Sequence, residues 1–366
     1  MNGVCQWWVL QSTHRLRREA RRDEDVPLLT TQFKEALRNV EPTSADKANA
    51  PVAHQEVRDV LTADPFLMDW GLKPILIGSY KRDVSIRRIK DVDLFGRLFD
   101  LPDGVEPATL LREFERVLKA EFGPDRMKRQ ARSLQISFPA LDGLYVDAVP
   151  ARPWVSPYGE EAWQLPKRGE DGWQVTNPER LTELKTELNE EYDGLYVPVV
   201  KLLRQTRRSL MGKKKPGGLT VEIATVAAFS SGAVNTGTVP EVFVSALRAT
   251  GDVLYNAFVH GLGLDDPTLL GEKLYVRGDD ADKQALANAF VDAGKRAQEA
   301  LDAGDDDKCS AAKTLRDILG KAVDDQGDQD YVFPMPDDCN LNGTRKAFVV
   351  ARPGDSQVPG GTRRFG

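Results

Sequence analysis

The sequence contains little cysteine, no long apolar run and no excess of positive charge. Its 3 cysteines, Cys5, Cys309 and Cys339, lie far apart and form no Cys-x-x-Cys or Cys/His pattern, which excludes the usual zinc motifs. We therefore expect free thiols in a cytoplasmic protein. The longest apolar stretches, such as residues 221–229, end before the roughly 18 residues that a membrane span needs, so no membrane segment is predicted.

The charge balance disfavours a globally basic nucleic-acid-binding protein. Lys and Arg total 50 against 56 for Asp and Glu, which gives a net charge of −6. A local basic channel is still compatible with this balance, and small nucleotides are easier ligands than a long nucleic acid. The length of 366 residues is sufficient for one large domain or two closely packed lobes with a sizeable core.

Two carboxylates stand one residue apart in an apolar run. Asp91 and Asp93 flank Val92, and because side chains alternate faces along a strand, both project from the same face. Hard cations such as Mg²⁺ choose carboxylate oxygens and keep open positions for water and substrate phosphates. Upstream, Gly78 and Ser79 follow a strand-like run, and a turn there can offer backbone N–H groups and a hydroxyl to a phosphate.

These segments together resemble a known signature. The sequence at Gly78–Tyr80, Arg82, Ser85–Ile86 and Asp91–Leu94 resembles that of the polymerase β-like nucleotidyltransferases, and within them the bacterial cyclic-oligonucleotide synthases related to cyclic GMP-AMP synthase and oligoadenylate synthetase. The resemblance extends over about residues 31–336. It implies an α+β fold, in which a polymerase β-like core, a mixed sheet with flanking helices, packs against a mainly helical C-terminal lobe.

The family also needs a third carboxylate on a neighbouring strand. Asp147 is the candidate, because it lies in the strand-like run Leu144–Val149 after a second such run, Leu134–Phe138. Between the two runs, Asp142 and Gly143 form the Asp-Gly pair that is typical of a hairpin turn. The resemblance therefore implies that Asp91, Asp93 and Asp147 are the catalytic residues and hold two Mg²⁺ ions, with Mn²⁺ as an alternative.

The resemblance also implies a set of nucleotide-binding residues. Gly78 and Ser79 would hold the β- and γ-phosphates, and Arg82 occupies the position of an Arg in the family pattern. A basic residue of the second lobe would reach the nucleotide, and both Lys201 and Arg204 are candidates. Thr220 fits a Ser/Thr position of related enzymes loosely. The basic residues of 127–132 either face phosphates or form the rim of an edge strand.

The activity implied is the joining of NTPs, with ATP among them, into a cyclic di- or trinucleotide. The product would activate a separate effector in antiphage defence. No zinc-binding insertion is present, so zinc-dependent DNA sensing is not expected. Two alternatives stay open: an enzyme of the same fold that makes linear products or transfers a nucleotide to RNA or protein, and a catalytically idle binding or regulatory protein.

Composition shifts predict four segments. Residues 1–30 are interpreted as a flexible extension, or as an amphipathic helix for a membrane surface or a partner. Residues 31–177 would form the catalytic core, in which 150–177 is expected to be irregular, and 178–335 the helical lobe. Residues 336–366 are predicted to be a flexible tail that either frays or, as in some family members, is conjugated through Gly366 by a ubiquitin-activating-like enzyme.

Overall fold

The computed structural model describes residues 28–156, 159–168, 172–304, 307–323 and 329–347. The described helices are α1 Thr30–Val40, α2 Ser44–Ala63, α3 Pro65–Asp69, α4 Gly78–Lys81, α5 Pro107–Phe122, α6 Pro178–Glu191, α7 Tyr196–Met211, α8 Gly218–Ser230, α9 Val239–Phe258, α10 Asp280–Asp302 and α11 Lys308–Leu319. The described strands are β1 Leu72–Ile77, β2 Asp91–Leu98, β3 Met127–Arg129, β4 Leu134–Phe138, β5 Leu144–Val155, β6 Glu161–Pro166, β7 Trp173–Thr176, β8 Lys321–Val323 and β9 Gln329–Tyr331.

The first seven strands form one mixed sheet. Its order is β1-β2-β5-β4-β3, and β6 and β7 continue it from the second half of the long strand β5. Strand β2 runs parallel to β5, whereas its other neighbour, β1, is antiparallel. Strands β4 and β5 are joined by the predicted hairpin, with positive φ at both Asp142 and Gly143. Together with its flanking helices, this sheet confirms the α+β class that the resemblance implied.

The period-two pattern of β2 separates two faces of the sheet. Val92 and Leu94 are fully buried against the side chains of α2 and α5. Phe95 points to the opposite face, where it joins Ala151 and Trp163 in a smaller apolar cluster. Asp93 lies two residues before Phe95, so its carboxylate projects from that opposite face, away from α2 and α5.

The start of β2 is fixed by a buried carboxylate at the beginning of α2. Thr43 and Asp46 form a capping box, in which the Thr43 hydroxyl accepts from the Asp46 N–H and the Asp46 carboxylate accepts from the Thr43 N–H. The same carboxylate accepts from the backbone N–H groups of Arg88 (2.8 Å) and Ile89 (2.9 Å). The segment that leads into Asp91 is thereby anchored to α2.

A second core fills the helical lobe. It is built from apolar faces of α6 to α11, with fully buried side chains such as Leu203, Phe243 and Phe290. The polypeptide enters this lobe at Asn177, whose side chain caps α6 with Pro178 at the first helical position, as the Asn-Pro pair suggests. Helix α1 also packs here through Phe33, although it precedes the sheet in the sequence.

Two expectations from the sequence were wrong. Residues 150–177 are not irregular, because β5 continues to Val155 and pairs with β6, which pairs with β7. Pro150, Pro153 and Pro166 lie within β5 and β6, whereas Gly159 and Gly172 lie between the strands. Cys309 and Cys339 are not free thiols but form a disulfide with a Cα–Cα distance of 5.4 Å. The two cysteines are 30 residues apart in the sequence, and they come together only because the chain turns back after α11. The sequence alone therefore did not indicate the pairing.

Two other expectations fall outside the described residues. These are the N-terminal extension up to residue 27 and the candidate conjugation site Gly366. Of the predicted tail, residues 336–347 are described and contain a β-bridge between Cys339 and Arg345. No described helix is long and apolar enough to cross a membrane.

Candidate active site

A cleft of about 490 Å³ lies between the open face of the sheet and the helical lobe. Its lining includes most of the residues singled out in the sequence. From the core these are Gly78, Ser79, Arg82, Asp91, Asp93 and Asp147. From the helical lobe, Arg204 and Thr220 contribute. The fold thus brings together residues that are up to 142 positions apart in the sequence, from Gly78 to Thr220.

The three carboxylates are placed by the parallel pairing of β2 and β5. Asp93 stands directly opposite Asp147, and Asp91 opposite Tyr145, in the strand register. Burial, followed by the charges of Asp91 and Asp147, raises the pKa of Asp93 to about 7. Burial and the charge of Asp91 raise the pKa of Asp147 to about 6. Burial and mutual repulsion thus disfavour the ionised carboxylates, and the nearby charges of Arg82, Arg204 and Arg277 offset this effect only in part.

The donor set at this position fits a hard divalent cation. Among the described residues, no group of three or more His, Cys, Asp or Glu side chains is arranged to hold a metal ion. Mg²⁺ does not require one, because it is usually held by one or two carboxylates, with waters and substrate phosphates completing its shell. The pairing of Asp93 with Asp147, and their raised pKa values, provide the uncompensated negative charge that such an ion neutralises.

The turn after β1 approaches the same carboxylates. Gly78 has φ +73°, and a Cβ at this position would overlap the Asp93 carboxylate, so only glycine fits here. Ser79 follows at the start of the short helix α4, and its hydroxyl lies 3.0 Å from that of Ser85. The Ser79 carbonyl accepts from the Val84 N–H at 3.0 Å. The turn is therefore closely packed and holds Ser79 at the edge of the cleft.

A buried ion-pair cluster forms the floor of the cleft. Arg82 donates to Glu222 through Nε (2.6 Å) and Nη2 (3.1 Å), and Arg204 donates to the same carboxylate through Nη1 (3.1 Å). Burial acts to raise the pKa of Glu222, but the charges and hydrogen bonds of Arg82 and then Arg204 outweigh it and keep the pKa below its usual value. Two guanidinium groups on one carboxylate leave a net positive charge.

The two candidate cations of α7 have different surroundings. Arg204 lines the cleft, and a Cβ on Gly218 would lie 3.1 Å from its guanidinium, so the glycine allows close packing. Lys201 is 3% exposed and donates to Glu41 (2.9 Å) and Asp83 (3.3 Å). Lys201 is not among the residues that line the cleft. The structure therefore brings Arg204, rather than Lys201, to the candidate site.

Sequence reasoning missed several residues of the cleft. Gln130 donates to Asp147 at 3.0 Å, and Arg132 lies 5.7 Å from the ring of Tyr275. Tyr275 and Arg277 come from the segment between α9 and α10 and line the cleft, and the charge of Arg277 acts to lower the pKa of Asp147. The basic run at 127–132 was a partial signal for Arg132. Nothing in the local pattern around Tyr275 points to a site, because its role depends on tertiary packing.

The arrangement defines a class of protein: a nucleotidyltransferase with a polymerase β-like core. Residues 28–189 match the model of the Second Messenger Oligonucleotide or Dinucleotide Synthetase domain. Over this region, which is less than half of the chain, the protein is similar to bacterial cyclic-oligonucleotide synthases.

Individual proteins are similar to this chain over most of its length. The chain is 26% identical over 308 residues to a cyclic AMP-AMP-AMP synthase of Acinetobacter sp. (strain ATCC 27244 / 9458), covering 80% of this chain and 85% of that protein. Its fold is similar to that of E. coli MS115-1 CdnC with ATP, with a TM-score of 0.58 and 19% identity over 80% of this chain and 97% of the other. Vibrio cholerae DncV in its apo form gives a TM-score of 0.56 at 17% identity, covering 80% and 78% of the two chains.

Proposed function

We propose that the chain uses Mg²⁺ to join NTPs, with ATP among them, into a cyclic di- or trinucleotide second messenger. The observation that carries the proposal is the register of β2 and β5, which sets Asp93 opposite Asp147 on the face that lines the cleft. A cyclic AMP-AMP-AMP synthase is among the relatives, which favours adenine nucleotides and a trinucleotide product.

The residues of the cleft have complementary tasks in this proposal. Asp91, Asp93 and Asp147 would hold the divalent cations. When bound, these cations would lower the pKa of the attacking ribose hydroxyl and neutralise negative charge on the triphosphate. The turn at Gly78 and Ser79 offers backbone N–H groups and a hydroxyl to the β- and γ-phosphates. Arg204 presents a guanidinium to the negative charge that develops at the α-phosphate and on the leaving pyrophosphate.

Closing a ring requires more than one transfer in the same site. The 3% exposed Arg82 and the 1% exposed Glu222 make the floor of the cleft rigid, so a growing product is held against fixed charges rather than in bulk water. Tyr275 of the helical lobe, which is 68% exposed, and Arg132 of the core both line the cleft, where an acceptor base has room to stack. We propose that the last transfer is intramolecular and leaves no terminal phosphate.

We further propose a role in cytoplasmic antiphage defence, in which the product activates a separate effector. Gly366 is a candidate for conjugation by a ubiquitin-activating-like enzyme. Co-expression with such an enzyme should give higher-mass adducts that disappear when Gly366→Glu is introduced. Adducts that persist in this variant, or their complete absence in the wild-type chain, would contradict conjugation without affecting the proposed synthase activity.

The synthase proposal is tested with purified protein, Mg²⁺ and the four NTPs. We expect a phosphatase-resistant product whose mass fits a cyclic di- or trinucleotide. Asp93→Asn should reduce turnover by more than about 1,000-fold, because losing a metal ligand removes several kcal/mol of charge stabilisation. Asp125→Asn, which changes an exposed carboxylate outside the cleft, is the matched control. Phosphatase-sensitive products would indicate linear synthesis, and no product would indicate an idle protein.

A further inference from the structure

Arg82 occupies an unexpected position for a residue that was predicted to bind nucleotide. It follows the short helix α4 directly, and its N–H is bonded to the Gly78 carbonyl. Its guanidinium is bonded through two nitrogens to Glu222, a residue of α8 that lies 140 positions further along the chain. Arg82 is 3% exposed and Glu222 is 1% exposed. Glu222 thus engages two of the five N–H donors of this guanidinium, and the burial of the side chain limits what the other three can reach.

The neighbouring residue makes a second contact of the same kind. Asp83 accepts from Lys201 of α7 at 3.3 Å. Successive residues after the turn are therefore bound to two different helices of the helical lobe. These contacts hold the end of the turn against the lobe, independently of the sheet that carries the carboxylates.

The beginning of the same turn is held by the sheet. Gly78 lies against the Asp93 carboxylate so closely that no Cβ is accommodated. Ser79, between the two anchoring points, is further fixed through Ser85 and Val84. The position of the Ser79 hydroxyl relative to Asp93 consequently depends on the anchor at Arg82.

Arg204 differs from Arg82 in the donors that it has available. Its Nη1 is bonded to Glu222, whereas its Nε is buried with no hydrogen-bond partner among the described residues. A buried donor without a partner is costly, and a ligand in the cleft can satisfy it. Glu222 therefore binds both arginines, and the Nε–H of Arg204 is the buried donor that a ligand can use.

We propose that Arg82 is a positioning residue, which clamps the Gly78–Ser79 turn to the helical lobe through Glu222 and acts on the triphosphate only through Ser79. This inference rests on the proposed function, because it assumes that the cleft binds a Mg²⁺–NTP complex. Arg204 then supplies the direct contact between the arginine cluster and the nucleotide. The two arginines that share Glu222 thus have different tasks: Arg82 positions the turn, and Arg204 contacts the nucleotide.

The test is a double-mutant cycle between Arg82 and Ser79. Arg82→Gln and Arg82→Lys are introduced in the wild-type chain and in Ser79→Ala. The Kd of the Mg²⁺ complex of α,β-methylene-ATP is measured by calorimetry, and KM and kcat for NTP by pyrophosphate release. In the wild-type background we expect Arg82→Gln to weaken binding about 10-fold, since it breaks a charge-assisted pair that holds the turn. In the Ser79→Ala background we expect a loss below about 3-fold, because the affected contact is already absent.

The conservative variant distinguishes positioning from direct charge contact. Lysine keeps the positive charge but cannot form the bidentate fork, so Arg82→Lys should also weaken binding in the wild-type background and have almost no effect in Ser79→Ala. If Arg82→Gln fails to fold, the cycle with Arg82→Lys gives the same comparison. Equal losses in both backgrounds, or no loss in the wild type, would overturn the proposal.

A control uses another arginine–glutamate ion pair away from the turn, which is more exposed than the pair of Arg82 and Glu222. Arg97 of β2 donates to Glu179 of α6 at 2.9 Å and also joins the sheet to the helical lobe. Arg97→Gln should leave the Kd unchanged, and a loss equal to that of Arg82→Gln would mean general loosening of the two lobes and overturn the clamp. If the wild-type chain binds no Mg²⁺–nucleotide at all, the proposed function fails instead.

Discussion

At the scale of single residues, Asp93 lies where the requirements of the site conflict with those of stability. It stands opposite Asp147, touches the turn at Gly78 and is close to Asp91. Its raised pKa means that the ionised carboxylate is unfavourable in the folded chain when no cation is bound. Such a cost is typical of a functional residue, because a structural role would be served better by a neutral side chain.

The first prediction concerns stability and pH in EDTA. The folded state holds the Asp93 proton up to a pKa of about 7, whereas an unfolded carboxyl releases it near 3.8. The group therefore lowers the free energy of unfolding as pH rises from about 4 to about 7. Asp93→Asn should stabilise the metal-free protein by about 2 to 4 kcal/mol at pH 8 and by almost nothing at pH 4.

Urea unfolding at the two pH values measures this difference. Asp125→Asn, at an exposed position, should leave the free energy of unfolding within about 0.5 kcal/mol of the wild type at both pH values. An Asp93→Asn variant that is no more stable than the wild type at pH 8 would show that the carboxylate is not electrostatically strained.

The second prediction concerns the hydroxyl of Ser79. If it binds phosphates that remain bound throughout the reaction, Ser79→Ala should raise KM for NTP by about 10-fold with a smaller change in kcat. Ser85→Ala removes the neighbouring hydroxyl at 3.0 Å and is the matched control, with an expected effect below about 3-fold. Steady-state kinetics measure both values. A large loss of kcat at saturating NTP, with KM unchanged, would exclude a phosphate-binding role.

At the scale of elements, local sequence patterns predicted most of the secondary structure around the site. The alternation in β2, the Asp-Gly turn at 142–143 and the Asn-Pro start of α6 all have short-range causes. The strands of residues 150–177 were missed because their prolines and glycines resemble those of a loop. The disulfide was missed because its two cysteines belong to α11 and to a turn that only the folded chain brings close.

The third prediction concerns the disulfide between Cys309 and Cys339. The disulfide joins residues that are 30 positions apart and so restricts the unfolded chain. This restriction should raise the free energy of unfolding by about 3 to 4 kcal/mol. Thiol titration of the denatured, non-reduced protein should find one free thiol of the 3 cysteines, and Cys339→Ser should lower stability by a similar amount. Three titratable thiols in the non-reduced protein would contradict the bond.

At the scale of the whole molecule, the cleft is completed only when the sheet and the helical lobe pack together. We propose a boundary between the core and the lobe near Asn177, although α1 belongs by packing to the lobe. Two ion pairs cross between the two parts beside the turn: Arg82 with Glu222, which is buried, and Lys201 with Asp83, in which the Asp83 side chain is exposed. Substrate binding and lobe packing should consequently stabilise each other.

The fourth prediction follows from this coupling. A ligand that binds only the folded state, at about 100 times its Kd, adds about 2.7 kcal/mol to the free energy of unfolding. Mg²⁺ with α,β-methylene-ATP should therefore raise Tm by several degrees, and EDTA should remove most of the increase. Thermal scanning measures it, with Asp93→Asn as the variant that should not respond. An equal increase in EDTA would contradict metal-dependent binding.

The sequence by itself determined the order of the elements, the shared face of Asp91 and Asp93 and the glycine-serine turn, because these depend on residues that are close in the chain. Only the tertiary structure placed Asp147 opposite Asp93 and selected Arg204 rather than Lys201 for the cleft. Residues three positions apart on a helix share a face only approximately, so the packing of α7 decides which of the two reaches the cleft. The pairing of Arg82 with Glu222 likewise spans 140 residues, a distance at which local periodicity carries no information.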